Sequence, residues 1–192
     1  MYLLRPSDYR RMPWKNGAGE TIEIAVSPRG ASVSDFDWRI SMAPVGADGP
    51  FSVFPGIDRT LSILDGEGIV LSVGDAPPVT LTGSTSPFSF PADVPTSATL
   101  IAGPVLDFNV MSRRGALSHR VRRLDLTKVA DLRFGGMDQL VFCTRGAVVL
   151  DVGLARVDLG EGETLHRSGG DTGIVLRPDG AAIVFVVEIG TA

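Results

Sequence analysis

The side chains with the most chemistry to offer are spread between Trp14 and Asn109. Lys15 and Asn16 stand next to Trp14 in Met12-Pro13-Trp14-Lys15-Asn16-Gly17-Ala18-Gly19-Glu20-Thr21-Ile22-Glu23-Ile24. The Asn16-Gly17 pair favours a tight turn. The alternation after it places Thr21, Glu23 and Ala25 on one strand face and Ile22, Ile24 and Val26 on the other. An ammonium, a carboxamide that both donates and accepts, and a flat indole wall suit the mouth of a polar pocket. The same residues also suit a loop that Trp14 packs and whose polar groups serve its own backbone.

Further along, Arg39 alternates with Trp38, Ile40 and Met42. If those apolar side chains face a core, Arg39 lies on the opposite face, in solvent or in a polar cavity with a carboxylate partner. Arg59 is the first choice to anchor an anion, because a guanidinium can hold a planar carboxylate through two parallel hydrogen bonds. Asn16 and Asn109 are placed to orient an amide or ring nitrogen of a ligand, and Glu23 or Asp107 to hold Arg59. In Val105-Leu106-Asp107-Phe108-Asn109-Val110-Met111, Asp107 and Asn109 share a face with Val105 and Met111. That pattern fits a ligand-bearing barrel strand, and it equally fits a half-exposed one.

Other chemistries find little support. The chain has 2 histidines, His119 and His166, far apart and outside any H-x-H pattern, so a three-histidine centre is excluded and neither a metal nor a cofactor is expected. No G-x-S-x-G elbow or Gly-rich strand-to-helix turn is present. The single Cys143 lies in Leu140-Val141-Phe142-Cys143 and reads as a buried small hydrophobe. A net charge of -4 argues against nucleic acid. The basic stretch Arg113-Arg114, His119-Arg120 and Arg122-Arg123 reads as a solvated connector. The amino terminus lacks the apolar core of a signal peptide and no run has the length of a membrane span, so a cytoplasmic location without membrane contact is expected.

The elements that must position these groups are strands. Few apolar positions recur at helical spacing; Asp125–Leu132 fits a short connector helix, and Arg122–Leu126 equally fits the end of a strand. Tyr2-Leu3-Leu4 reads as an edge strand and Arg5–Tyr9 as a turn or one helical turn. Leu61–Val73 reads as a hairpin reversing at Asp65-Gly66-Glu67-Gly68 in the centre of a sheet. Leu140–Val152 lies over Leu61–Val73 without a gap. The flanks correspond too, Val79-Leu81 with Val157-Leu159 and Phe88-Phe90 with Glu163-Leu165. The turns Gly169–Gly173 and Arg177–Gly180 fall in the second copy. Two such copies predict an all-β chain of two small β-barrel or jelly-roll units packed together with few short helices. The expected units are residues 1–115, holding the pocket, and 116–192, with the first strand a candidate for exchange between them.

Four separated motifs resemble the HutD/Ves family: Trp14–Thr21 with Glu23, Trp38–Ala43, Gly49–Gly56 with Arg59, and Asp107–Met111 with Arg113. Ala18 departs from a glycine common in the family at that place. The resemblance covers essentially the whole chain and implies a bicupin fold and a link to histidine utilisation. It marks Trp14, Lys15, Asn16, Thr21, Glu23, Trp38, Arg39, Arg59, Asp107, Asn109 and Arg113 as signature positions. The function it implies is regulation through a small carboxylate such as urocanate or formylglutamate, with no enzymatic activity firmly assigned to the family; together with the absence of a metal set, the expectation is a metal-independent binding or sensor protein more than an enzyme. The expected ligand-binding set is Trp14, Lys15, Asn16, Thr21, Glu23, Arg39, Arg59, Asp107 and Asn109. A metal-independent enzyme of amino-acid catabolism, with Glu23 or Asp107 as base and Lys15 as acid, is the alternative, alongside a structural or regulatory interaction protein. A homodimer is expected by fold analogy.

Overall fold

The structure is a computed structural model that describes residues 1–14, 19–169 and 172–192. The chain begins with β1 (Tyr2–Leu4) and one 3-10 turn at Pro6–Asp8, closed by Asp8 N donating to the Arg5 carbonyl at 2.8 Å. Two compact units follow from the contacts: Tyr9–Ser118, here the first unit, and Met1–Asp8 with His119–Ala192, here the second. Among the described residues no helix is long and apolar enough to cross a membrane.

The first unit contains β2 (Arg10–Pro13), β3 (Glu20–Ser27), β4 (Trp38–Val45), β5 (Gly49–Pro50), β6 (Ile57–Asp65), β7 (Ile69–Val73), β8 (Val79–Leu81), β9 (Phe88–Pro91), β10 (Thr96–Leu100) and β11 (Val105–Arg113). They form a six-stranded sheet in the order β2-β3-β4-β11-β6-β9 and a four-stranded sheet β5-β10-β7-β8. Leu61, Ile63, Phe90 and Val105 from the larger sheet pack with Ile69, Leu71, Leu81 and Ala98 from the smaller, so the two sheets enclose an apolar core. A second cluster of Phe36, Ile57, Ala92 and Met111 closes over another part of the larger sheet.

In the second unit, β12 (Leu117–Leu126), in which the division between units falls, is followed by β13 (Ala130–Phe134), β14 (Asp138–Arg145), β15 (Val148–Val152), β16 (Ala155–Leu159), β17 (Thr164–Ser168), β18 (Thr172–Pro178) and β19 (Ala182–Thr191). Their sheets run β1-β17-β14-β19-β12 and β13-β18-β15-β16. Setting β1 aside, this is the strand order β9-β6-β11-β4 and β5-β10-β7-β8 of the first unit carried eight strands along. The repeat read in the sequence is therefore a repeat of topology.

Three expectations need correction. The reversal at Asp65–Gly68 is not a hairpin: β6 pairs with β11 and β9, whereas β7 pairs with β10 and β8, so the turn is a corner between sheets. Turn chemistry marks where a chain reverses but not which strand it then pairs with. The gapless superposition of Leu140 on Leu61 is also off by one in its first strand. Ile63 faces Asp107 and Cys143 faces Val184, each just before a register shift, so Ile63 matches Cys143 and Leu61 matches Val141. A one-residue slip exchanges the two faces of a strand, and the extra residue in Gly66-Glu67-Gly68 absorbs it. Third, the alternation in β3 breaks at a register shift between Glu23 and Ala25, which leaves Val26 paired with Arg39 and on Glu23's side of the sheet. Of the two readings around Asp125, the strand prevails: Arg122–Leu126 finishes β12, and β13 begins at Ala130. Cys143 is fully buried, and its thiol is pushed up to about 11, mainly by that burial.

Both corners depend on glycine. Gly66 has φ +92, and a Cβ there would meet the Pro104 carbonyl at 2.6 Å; Gly146 has φ +78 and would meet the Ala181 carbonyl at 2.5 Å. Gly66→Ala is expected to lower unfolding free energy by about 1–3 kcal/mol in urea titrations. Gly46→Ala, where there is neither positive φ nor a neighbour within 4 Å, should change it by about 0.5 kcal/mol or less.

Candidate functional site

The polar signature residues converge because of register. Arg39 of β4 and Arg59 of β6 both pair with Met111 of the intervening β11, so the two arginines flank one row of the sheet. Strands lie about 4.8 Å apart, so their Cα atoms are about 10 Å apart. Glu23 pairs with Ser41, and Ser41 with Asn109, two residues along on the same face. That face also carries Leu61, Ile63 and Val105 of the core. Arg39, Arg59, Glu23, Asp107 and Asn109 are all buried, none more than 6% exposed.

Within this interior the side chains form two linked groups. Arg39 Nε donates to Glu23 Oε2 at 2.7 Å. Arg59 donates to Asn109 Oδ1 from Nε at 2.8 Å and again from Nη2. Asn109 Nδ2 in turn donates to Asp107 Oδ1 at 2.7 Å, which also accepts from the Ala43 amide at 3.0 Å. The Arg59 guanidinium lies over the Phe51 ring, 4.3 Å from its centroid, with Phe90 at 5.7 Å. Two atoms are left over. Arg39 Nη2 and Asp107 Oδ2 are buried and without a hydrogen bond, Oδ2 lying 3.9 Å from Arg59 Nη2.

Dehydration outweighs pairing here. Burial, only partly offset by Arg59 and the hydrogen bonds from Asn109 and Ala43, pushes the Asp107 carboxyl up to about 6. Burial also lowers Arg59 to about 10; the charge of Asp107 works against that shift and the charge of Arg39 adds to it. Arg59 stays a cation at neutral pH, and the repulsion from Arg39 shows that the two positive charges sense each other.

The expected roles are redistributed. Arg59 does not present a free two-pronged face, since Nε and Nη2 are spent on Asn109. Asn109 in turn accepts from Arg59 and donates to Asp107, so it positions Arg59. Glu23 holds Arg39 and Asp107 backs Arg59, so of the two environments left open for Arg39, the buried one with a carboxylate partner is the one found. Trp14 Nε1 donates to Thr21 Oγ1 at 2.9 Å, Trp14 N donates to the Gly19 carbonyl, and the indole lies over Gly19. Trp14 is thus engaged with Gly19 and Thr21 at the start of β3. Lys15 and Asn16, with Gly17 and Ala18, lie outside the described residues, as do Gly170 and Asp171 of the expected turn.

Arg113 bonds the Phe36 carbonyl and pairs with Asp37, a fastening at the end of β11. Arg114, Arg122 and Arg123 are likewise paired, with Asp58 and Asp93, Glu188, and Asp125. These four arginines of the basic stretch are thus met by acids of their own chain. His119 lies in β12 and His166 in β17, where it contacts Asp138 at 2.8 Å. Among the described residues no group of three or more His, Cys, Asp or Glu is arranged to hold a metal ion. The reading of the sequence missed Phe51 and Phe90 as the walls of Arg59. Phe90 pairs directly with Arg59 across β9 and β6, a register that no local pattern encodes.

A family model described as HutD matches residues 6–184. The chain belongs to the HutD/Ves family. It is 37% identical over 177 residues to the protein Ves of Citrobacter koseri, covering 90% of this chain and 88% of that one. The crystal structure of PA5104, a conserved protein of unknown function from Pseudomonas aeruginosa PAO1, matches with a TM-score of 0.92 and 33% identity over 98% of both chains. HutD from Pseudomonas fluorescens SBW25, solved in a formate condition, matches with a TM-score of 0.83 and 31% identity over 100% of this chain and 98% of that one. The fold is all-β and of the bicupin type, with two sheets in each unit.

A carboxyl with a raised pKa favours the folded state most while it is protonated; that contribution is lost as pH rises from its ordinary value of 3.8 through about 6. The stability difference between Asp107→Asn and the natural protein should therefore shift in favour of the variant by about 3 kcal/mol between about pH 4 and about pH 7. Urea unfolding at a series of pH values measures it, and a difference independent of pH would contradict the assignment.

Proposed function

We propose that the first unit binds a small carboxylate between Arg39 and Arg59, and that the chain serves as a cytoplasmic sensor or regulatory protein without catalysis of its own. The observation that carries this reading is the buried, unpartnered Nη2 of Arg39, on a strand flanking the same row as Arg59. A buried guanidinium N–H without an acceptor is costly, and an anion is an acceptor that would meet Arg39 Nη2 within reach of the positive charge of Arg59. Comparison of the two units supports it. Matching the paired strands sets Arg59, Asp107 and Asn109 against Gln139, Val184 and Val186, so the second unit builds the same sheet with an apolar interior at two of the three positions. Buried polar residues that the scaffold can do without are candidates for recognition.

A second reading rests on Asp107, whose carboxyl is raised to about 6 and has an oxygen free of hydrogen bonds, properties that suit a general base. Turnover of a catabolite that is lost in Asp107→Asn would replace the sensor by an enzyme.

The family link to histidine utilisation selects the first ligands to try: urocanate, N-formylglutamate, histidine and glutamate, with formate as the smallest carboxylate. Isothermal titration is expected to show binding of at least one, and loss of that binding in Arg59→Met with the fold retained by circular dichroism. No heat from any of them at millimolar concentration would count against this ligand class.

A further inference from the structure

Among the described residues, two of the buried polar atoms without a hydrogen bond belong to this one cluster, and they are of opposite kind: Arg39 Nη2 can only donate and Asp107 Oδ2, when ionised, can only accept. We infer that the ligand carries an N–H or O–H donor close to its carboxylate, the carboxylate taken by the arginines and the donor by Asp107 Oδ2. This rests on the binding function proposed above and narrows it to N-acyl amino acids, hydroxy acids and related molecules.

The cluster itself excludes simpler completions. Asp107 Oδ1 is already filled by the Ala43 amide and Asn109 Nδ2. Asn109 Nδ2 donates to Oδ1 and not to Oδ2, and the Asn109 oxygen accepts from Arg59. Arg59 Nη2 stands 3.9 Å from Oδ2, beyond hydrogen-bond distance, and is committed to Asn109. A ligand made only of acceptors satisfies Arg39 Nη2 but brings an oxygen lone pair towards Asp107 Oδ2, where no proton lies between them. A donor at that point turns the repulsion into a charge-assisted hydrogen bond. Discrimination of this kind is strong because the penalty falls on a protein group left buried and unpaired.

The test uses two acids that differ in one atom. N-acetylglycine has an amide N–H; acetoxyacetate has an ester oxygen in its place and keeps the carboxylate and the length. Affinities for the whole chain are measured by ligand-detected magnetic resonance, well above the pH at which Asp107 ionises. The amide is expected to bind tighter by roughly tenfold or more. Asp107→Asn keeps an oxygen for Ala43 and Asn109 but presents NH2 in place of Oδ2, so the preference should vanish or reverse. Equal affinity of the natural protein for both acids overturns the inference and leaves the carboxylate site standing. Binding of neither acid overturns both. A preference that survives in Asp107→Asn overturns the role given to Asp107; should that variant not fold, the comparison in the natural protein decides alone.

Discussion

Two guanidiniums and two carboxylates are dehydrated inside one β-sandwich, and everything distinctive about the first unit follows from that constraint. Their mutual attraction does not fully offset the loss of water: Asp107 is driven towards its neutral form and Arg59 away from its ordinary strength as a base. Such groups persist only if each is tied down. The ties are Glu23 on Arg39, Asn109 on Arg59, and the Ala43 amide on Asp107. Two atoms escape this arrangement, and they are where a ligand would gain the most.

The second unit shows what the fold requires without these charges. Its β14, β19 and β17 repeat the pairing of β6, β11 and β9, and its core of Val141, Cys143, Val184, Val186 and Leu165 is apolar, with Val184 and Val186 standing where the first unit has Asp107 and Asn109. Replacing a buried ionic cluster by well-packed apolar residues is often neutral or stabilising. One scaffold has thus taken two interiors, one that maximises packing and one that holds charge at fixed positions. The corner glycines Gly66 and Gly146, each pressed on a backbone carbonyl in the matching place, show that the frame around the two interiors is the same.

Much of this was legible in the residues. Alternation gave the strands, the repeat gave the two-unit topology, and the motifs around Arg39, Arg59, Asp107 and Asn109 named the cluster before its geometry was seen. Pairing partners were not legible. A turn such as Asp65–Gly68 has the same local chemistry whether it closes a hairpin or rounds a corner between sheets. A register shift after Glu23 moves Val26 to the other face with nothing in the local pattern to announce it. Which group holds Arg59 is decided by a contact across 50 positions of sequence, beyond the reach of periodicity.

The most direct measurement exchanges the interior of the first unit for that of the second. A triple variant, Arg59→Gln, Asp107→Val and Asn109→Val, would be unfolded in urea beside the natural protein. If the charges serve a ligand and not the fold, the variant keeps a single cooperative transition and is equal in stability or more stable by about 1–4 kcal/mol. A loss of several kcal/mol, or a transition that is no longer cooperative, would show that the cluster holds the unit together and would contradict the account.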